Sequence, residues 1–134
     1  MNKLKVCVDM SATILHHGHI NILEKASKLG DVYVALTKDK EVLKKKGYIP
    51  ELNFKQRLRL LKSIKFVKEV VPSNWDIDDK FVKKHKFDIL IHGNDEANST
   101  SSIKKIIFKR TAGISSNLMR YKIYCNYRKI YEKK

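Results

Sequence analysis

His16, His17 and His19 fall within four residues, interrupted by Gly18, directly after the apolar run that ends at Leu15. The spacing H-x-G-H has a physical logic. If a helix starts here, His16 precedes it and His19 lies in its first turn, so both imidazoles can face one point. Gly18 has no side chain, so a ligand can come close to the backbone. The helix N-terminus adds unpaired N–H groups and positive potential. Two imidazoles plus those donors suit a phosphorus centre that gains negative charge in its transition state. Zinc is the competing ligand. It would need a third or fourth partner at recognisable spacing, and the remaining histidines, His85 and His92, and both cysteines are distant in sequence.

A second stretch, "KRTAGISS" from Lys109 to Ser116, has matching properties. Arg110 offers a forked donor for phosphate oxygens. Gly113 permits a tight turn, Ser115 is a natural N-cap, and Ser116 adds a hydroxyl at a helix N-terminus. Alone, this segment reads as a capped helix start. Beside H-x-G-H it reads as a second phosphate-handling segment.

The elements that would position these residues follow from hydrophobic periodicity. "KLKVCVD" reads as a strand, and "HGHINILEKASKLG" as a helix with Ile20, Leu23, Ala26 and Leu29 inward and Gly30 as its stop. "DVYVALT" is a second buried strand. A helix begins near Asn53, a good N-cap, with Leu58, Leu61 and Ile64 inward. A short strand closed by Pro72 follows, then the helix "DIDDKFVKKHK", the strand "FDILIHG", the strand "KKIIFKR" and a terminal helix. Strands alternating with helices imply a parallel sheet covered on both faces. In such a sheet, ligands bind beyond the carboxyl ends of the strands, where the winding reverses. Both histidine and arginine segments emerge there, as do "KDKEVLKKKG" and "HGNDEAN". The basic, aromatic tail beyond Tyr121 is expected to pack on the sheet through Leu118 and Ile123. A membrane-surface helix is the alternative for it.

The 134 residues fit one domain over 1–134, long enough for a real core. Hydrophobic residues make up 43% and charged residues 32%, which suits a globular chain. No apolar run approaches the roughly 20 residues that span a bilayer, and no secretory signal is visible. Cys7 lies in an apolar strand pattern, so a buried thiol is expected rather than a disulfide. These features point to the cytoplasm. The net charge of +15 attracts polyanions or reflects a lysine-rich solvated surface. No nucleic-acid-binding module is visible and the aromatics form no stacking stripe.

These residues carry a family resemblance. The chain resembles the cytidylyltransferase branch of the H-x-G-H nucleotidyltransferases, most nearly the small glycerol-3-phosphate cytidylyltransferases, over roughly Lys5 to Ile123. The likeness lies in "LHHGHINILEKASKLGDVYVAL", "FKQRLRLL", "VVPSNW", "DILIHGND" and "RTAGISS". The phrase "DMSATILHHGHINI" also resembles nucleotidyltransferases associated with phosphoenolpyruvate mutase, which leaves a phosphonate acceptor open.

The resemblance implies a Rossmann-like α/β fold with a five-stranded parallel sheet. It implies in-line attack of an acceptor phosphate on the α-phosphorus of CTP, releasing pyrophosphate and forming a CDP-alcohol. His16 and His19 would stabilise the transition state, with Lys44 or Lys46 bridging nucleotide and acceptor and Arg110 on the phosphates. The neighbouring Lys45 stays an alternative, because alignment through "VLKKKGYIP" is ambiguous. Nucleotide contacts would come from Met10, Ser11, Ala12 and Gly18, from Gly93 and Asn94, and from Thr111, Gly113, Ile114, Ser115 and Ser116. Arg57 and Trp75 would lie near the acceptor or cytosine pockets. Mg²⁺ would ride on the triphosphate, held largely by phosphate oxygens and water rather than protein side chains. A homodimer is expected, with no specific nucleic acid partner and no membrane insertion.

Three departures from the family pattern stand out. Thr13 stands where an Asp usually precedes the first histidine by three residues. Asn94 replaces a common Asp, and Ser116–Asn117 replaces the usual Thr-Thr. Other readings are an adenylyltransferase of the pantetheine-phosphate type, a non-catalytic relative, and a basic nucleotide- or nucleic-acid-binding domain.

Overall fold

The computed structural model describes residues 3–92, 98–100 and 103–132. Gly93 and Asn94 therefore lie outside the described residues. Five parallel strands form the main sheet: β1 (Lys5–Met10), β2 (Asp31–Thr37), β3 (Glu69–Ser73), β5 (Ile89–His92) and β7 (Lys104–Ile107). Their order is β3-β2-β1-β5-β7. The chain winds outward from β1 through β2 to β3, then returns to the other side of β1. The reversal falls at β1, whose carboxyl end leads into the histidines. A separate pair, β4 (Ile77–Asp78) and β6 (Asn98–Ser99), is also parallel.

Alternation along the strands sorts side chains to two apolar layers. Val6, Val8, Val34 and Ile91 join Leu23 and Ala26 of α1 (His17–Ser27) and Leu61 of α3 (Phe54–Lys62) on one face. Cys7, Ala35 and Leu90 join Ile77, Phe87 and Val82 of α4 (Asp79–His85) on the other. Helices thus cover both faces, as the strand–helix alternation implies. Burial pushes the Cys7 thiol well up from its ordinary value, with the Asp9 charge adding, so this cysteine is an inert core residue.

Local chemistry sets the element ends. Asn53 caps α3 by accepting from the Gln56 N–H at 3.0 Å, while the Gln56 side chain accepts from the Asn53 N–H at 2.9 Å. The lysine run after β2 forms α2 (Asp39–Lys46). Asp39 and Glu41 occupy its first turn and Lys44, Lys45 and Lys46 its last, which complements the helix dipole. Gly47 ends it with φ of +81°. Pro72 lies within β3, pairing with Leu36, rather than closing the strand. It is tolerated because β3 is an edge strand.

The terminal helix α5 (Ser116–Tyr131) corrects one expectation. None of its described residues is buried, and Ile123 is 55% exposed. Ile123, Tyr124, Tyr127, Ile130 and Tyr131 form a stripe at helical spacing that faces away from the body. The helix is fastened at its start instead, where Ser116 Oγ donates to the Ile14 carbonyl at 2.9 Å.

Candidate active site

The strand–turn after β1 builds the first wall. Ala12 is buried with φ of +45°, a conformation uncommon for a residue with a Cβ. The preceding Ser11 carbonyl is held by Arg57 Nη1 at 2.6 Å. Arg57 is 1% exposed, and its other nitrogens donate to the Leu52 carbonyl (3.1 Å) and to Asp39 Oδ1 (2.6 Å). Asp39 in turn accepts from the Phe54 N–H. The structure therefore places Arg57 behind the site, holding its loop, with the guanidinium engaged by protein groups.

His16 caps α1. Its Nδ1 accepts from the Gly18 N–H at 3.0 Å, and its own backbone N–H donates to His19 Nδ1 at 3.1 Å. With both Nδ1 atoms accepting, each neutral ring carries its proton on Nε2. The pair thus presents two N–H donors at the helix start. Burial is the main cause that lowers both pKa values. His19, mostly buried and facing His16, Arg110 and Lys46, is pushed down to about 4. Neutral donors at physiological pH follow. His17 points elsewhere and is exposed, its ring 6.3 Å from that of His16. Gly18 is explained by the first histidine as much as by any ligand. A Cβ there would lie 2.8 Å from His16 Cε1.

The opposite wall is the segment before α5. Gly113 takes φ of +79°, which favours glycine. Ser115 caps α5 by accepting from the Leu118 N–H at 3.0 Å. Asn21 Nδ2 donates to Thr111 Oγ1 at 2.9 Å and, with the Ser116–Ile14 bond, locks the two walls together. Between them lies a cavity of about 230 Å³. His16, Gly18, His19, Lys46, Arg110 and Thr111 line it. Met10, Ser11, Ala12, Ile114, Ser115 and Ser116, also expected, line it too, whereas Gly113 shapes the turn without lining the cavity. The N-termini of α1 and α5 and the side chains of His16, His19, Lys46 and Arg110 converge on one space, an arrangement whose donors and charge complement phosphate groups.

With that geometry in place, similarity to known proteins is informative. Residues 11–133 match the family described as Cytidylyltransferase-like. The chain belongs to this family. It is 33% identical over 119 residues to glycerol-3-phosphate cytidylyltransferase of Staphylococcus aureus, covering 83% of this chain and 88% of that one. It is 35% identical over 127 residues to FAD synthase of Methanobrevibacter smithii, covering 91% and 81%. It is 31% identical to ethanolamine-phosphate cytidylyltransferase of Arabidopsis thaliana, but spans only 30% of that protein. A solved lipopolysaccharide core biosynthesis protein from Thermoplasma volcanium GSS1 has the same fold, with a TM-score of 0.68 at 24% identity over 81% of this chain and 98% of that one. The family match and these curated relatives make the protein a nucleotidyltransferase enzyme, and the solved structure shows the fold alone.

Within this cytidylyltransferase-like framework, the lysine ambiguity narrows. Lys46 lines the cavity and lies close enough to His19 to lower its pKa, whereas Lys44 and Lys45 are absent from the lining. Trp75 stands outside it, with the Lys46 ammonium 5.7 Å from its ring centre. Thr13, at the family's usual Asp position, is buried, and its hydroxyl is 3.5 Å from that of Tyr48. Tyr48 in turn accepts from Arg120, which also pairs with Glu51 at 2.6 Å. Sequence reasoning missed Asp9, Asn21 and Lys25, which also line the cavity. Asn21 and Lys25 follow His17 by one and two helical turns, a signal that was available. Asp9, on a strand, gave none.

Proposed function

We propose that this protein transfers CMP from CTP to a small phosphorylated alcohol, with glycerol 3-phosphate the best candidate, releasing pyrophosphate. One observation carries the reading: the paired Nε2 donors of His16 and His19 and the Arg110–Ser116 segment line one cavity of about 230 Å³. The names of the relatives from Staphylococcus aureus and Arabidopsis thaliana support the nucleotide and the acceptor class.

The chemistry needs little beyond positioning and charge stabilisation. An acceptor phosphate oxygen attacks the α-phosphorus, and the bond to the bridging oxygen of pyrophosphate breaks. Negative charge grows on the equatorial oxygens. His16 and His19 donate to it without first having to be protonated. Arg110, Thr111 and Ser115 hold the outer phosphates. Lys46 reaches between nucleotide and acceptor. Mg²⁺ would neutralise the triphosphate. No three potential metal-ligating side chains gather among the described residues, so phosphate oxygens and water would supply most of its ligands. The protein would act in the cytoplasm as a homodimer.

A second reading is favoured by the similarity to FAD synthase: adenylyl transfer from ATP to a flavin phosphate. A pyrophosphate-release assay decides. Each of CTP, ATP, GTP and UTP is paired with glycerol 3-phosphate, phosphoethanolamine, phosphocholine, 2-aminoethylphosphonate or FMN. Turnover with CTP and glycerol 3-phosphate is expected. Preference for ATP with FMN would replace this proposal with the second reading.

A further inference from the structure

Asp9 is the one acidic side chain among the described residues that line the cavity, where Lys25, Lys46, Lys109 and Arg110 are its charged companions. A carboxylate repels phosphate oxygens and accepts hydrogen bonds, and Asp9 belongs to no cluster of metal-ligating side chains among the described residues, so it suits a part of the nucleotide that offers hydrogen-bond donors. It is also built in. Its side chain is 17% exposed, and Oδ1 lies 2.7 Å from Nδ1 of His92, itself 6% exposed. The two residues occupy the ends of neighbouring parallel strands, β1 and β5. Beyond them, Phe108 follows β7 and donates its N–H to the His92 carbonyl. Phe108 and Ile22 supply apolar lining of the same cavity.

The cavity therefore changes character along its length. The helix starts and Arg110 suit phosphates. Phe108 and Ile22 suit a planar base. Asp9 stands two and three residues before Ser11 and Ala12, which line the same cavity as Arg110. The unit of a nucleotide that follows the α-phosphate is the sugar, and a ribose presents two vicinal hydroxyls. The geometry points to Asp9, oriented by His92, as the acceptor for the ribose 2′- and 3′-hydroxyls, making this carboxylate the residue that selects ribonucleotides over deoxyribonucleotides.

This inference rests on the transferase reading, and one experiment separates the two. Binding of CTP, 2′-deoxy-CTP, 3′-deoxy-CTP and UTP is measured by calorimetry on the full chain, for wild type and for Asp9→Asn. Wild type should bind each deoxynucleotide roughly 10–100-fold more weakly than CTP, the scale for hydrogen bonds to a charged group. In Asp9→Asn that ratio should collapse toward unity, while the CTP-to-UTP ratio is unchanged. Equal wild-type affinity for CTP and both deoxynucleotides overturns the inference without any need for the variant. A variant whose lost preference is for CTP over UTP also overturns it, since Asp9 would then read the base amine. Failure to bind any nucleotide sinks the transferase reading and this inference together.

Discussion

His16 and His19 hold each other: the backbone N–H of His16 donates to Nδ1 of His19 at 3.1 Å, and the two ring centres lie 4.0 Å apart. Neither ring can turn without breaking the cap of α1. Both Nε2 atoms are thereby committed as donors before any substrate arrives.

Replacing either histidine by Ala should cut kcat by roughly 10²–10³, the scale for losing one preorganised donor to a developing charge. The KM for CTP should change much less. His17→Ala should keep most activity, because that ring is exposed and points away. Steady-state kinetics on the three variants, with circular dichroism to check folding, measures this. Comparable damage from all three substitutions would make the cluster structural.

The depressed pKa of His19 sets a pH window for stability. A histidine takes up its proton near pH 6.5 in the unfolded chain, but only near pH 4 in the fold. Between these values the unfolded state binds more protons, so stability falls as pH drops from 6.5 to 4. The loss is on the order of 3 kcal/mol for this residue. Urea unfolding at pH 7.5, 5.5 and 4.5 should show a shallower decline in His19→Gln than in wild type. Activity should stay flat from pH 8 to 6, since the neutral ring is the working form.

Gly18→Ala tests the crowding beneath His16. The added methyl would meet the imidazole at 2.8 Å, so the ring must rotate and lose the cap. Removing such a cap costs about 1 kcal/mol. The loss of activity should be far larger than that, approaching that of His16→Ala. Thermal melts and kcat measured together distinguish the two effects.

Arg57→Ala should destabilise the protein by about 1–3 kcal/mol, because it leaves the Ser11 and Leu52 carbonyls without their donor, while Asp39, 37% exposed, keeps water and the Phe54 N–H. Arg57→Lys retains the charge opposite Asp39 but cannot make all three bonds, so it should lose less stability. If Arg57 also keeps the Ala12 turn in place, the Lys variant should show a raised KM for CTP with kcat nearly unchanged.

Period and punctuation made most of the fold legible. Alternation in "KVCVD" and "DVYVALT", the Asn53 cap, and Gly30 after α1 are local signals, and the elements followed them; the short α2 was not legible in the lysine run. The placement of His16 before α1 and His19 in its first turn was legible for the same reason: that geometry is contained within one helical turn. What the sequence hid depends on distant pairing. Arg57 looked like a ligand-facing arginine until Ser11 and Asp39 were seen to surround it. Asp9 acquired meaning from His92 on the neighbouring strand. Leu118 and Ile123 suggested a face of α5 packed on the sheet, but periodicity says which residues share a side and not what stands opposite.

The two walls of the site come from opposite ends of the chain. Ser116 reaches Ile14 across 102 residues, and Thr111 reaches Asn21 across 90. A triphosphate seated between them acts as a clasp that joins the start of the chain to its finish. Any ligand that binds this seam draws the population away from states in which the final helix has come loose. Occupancy of the site and resistance of the carboxyl-terminal segment to proteases are thus two readings of one equilibrium.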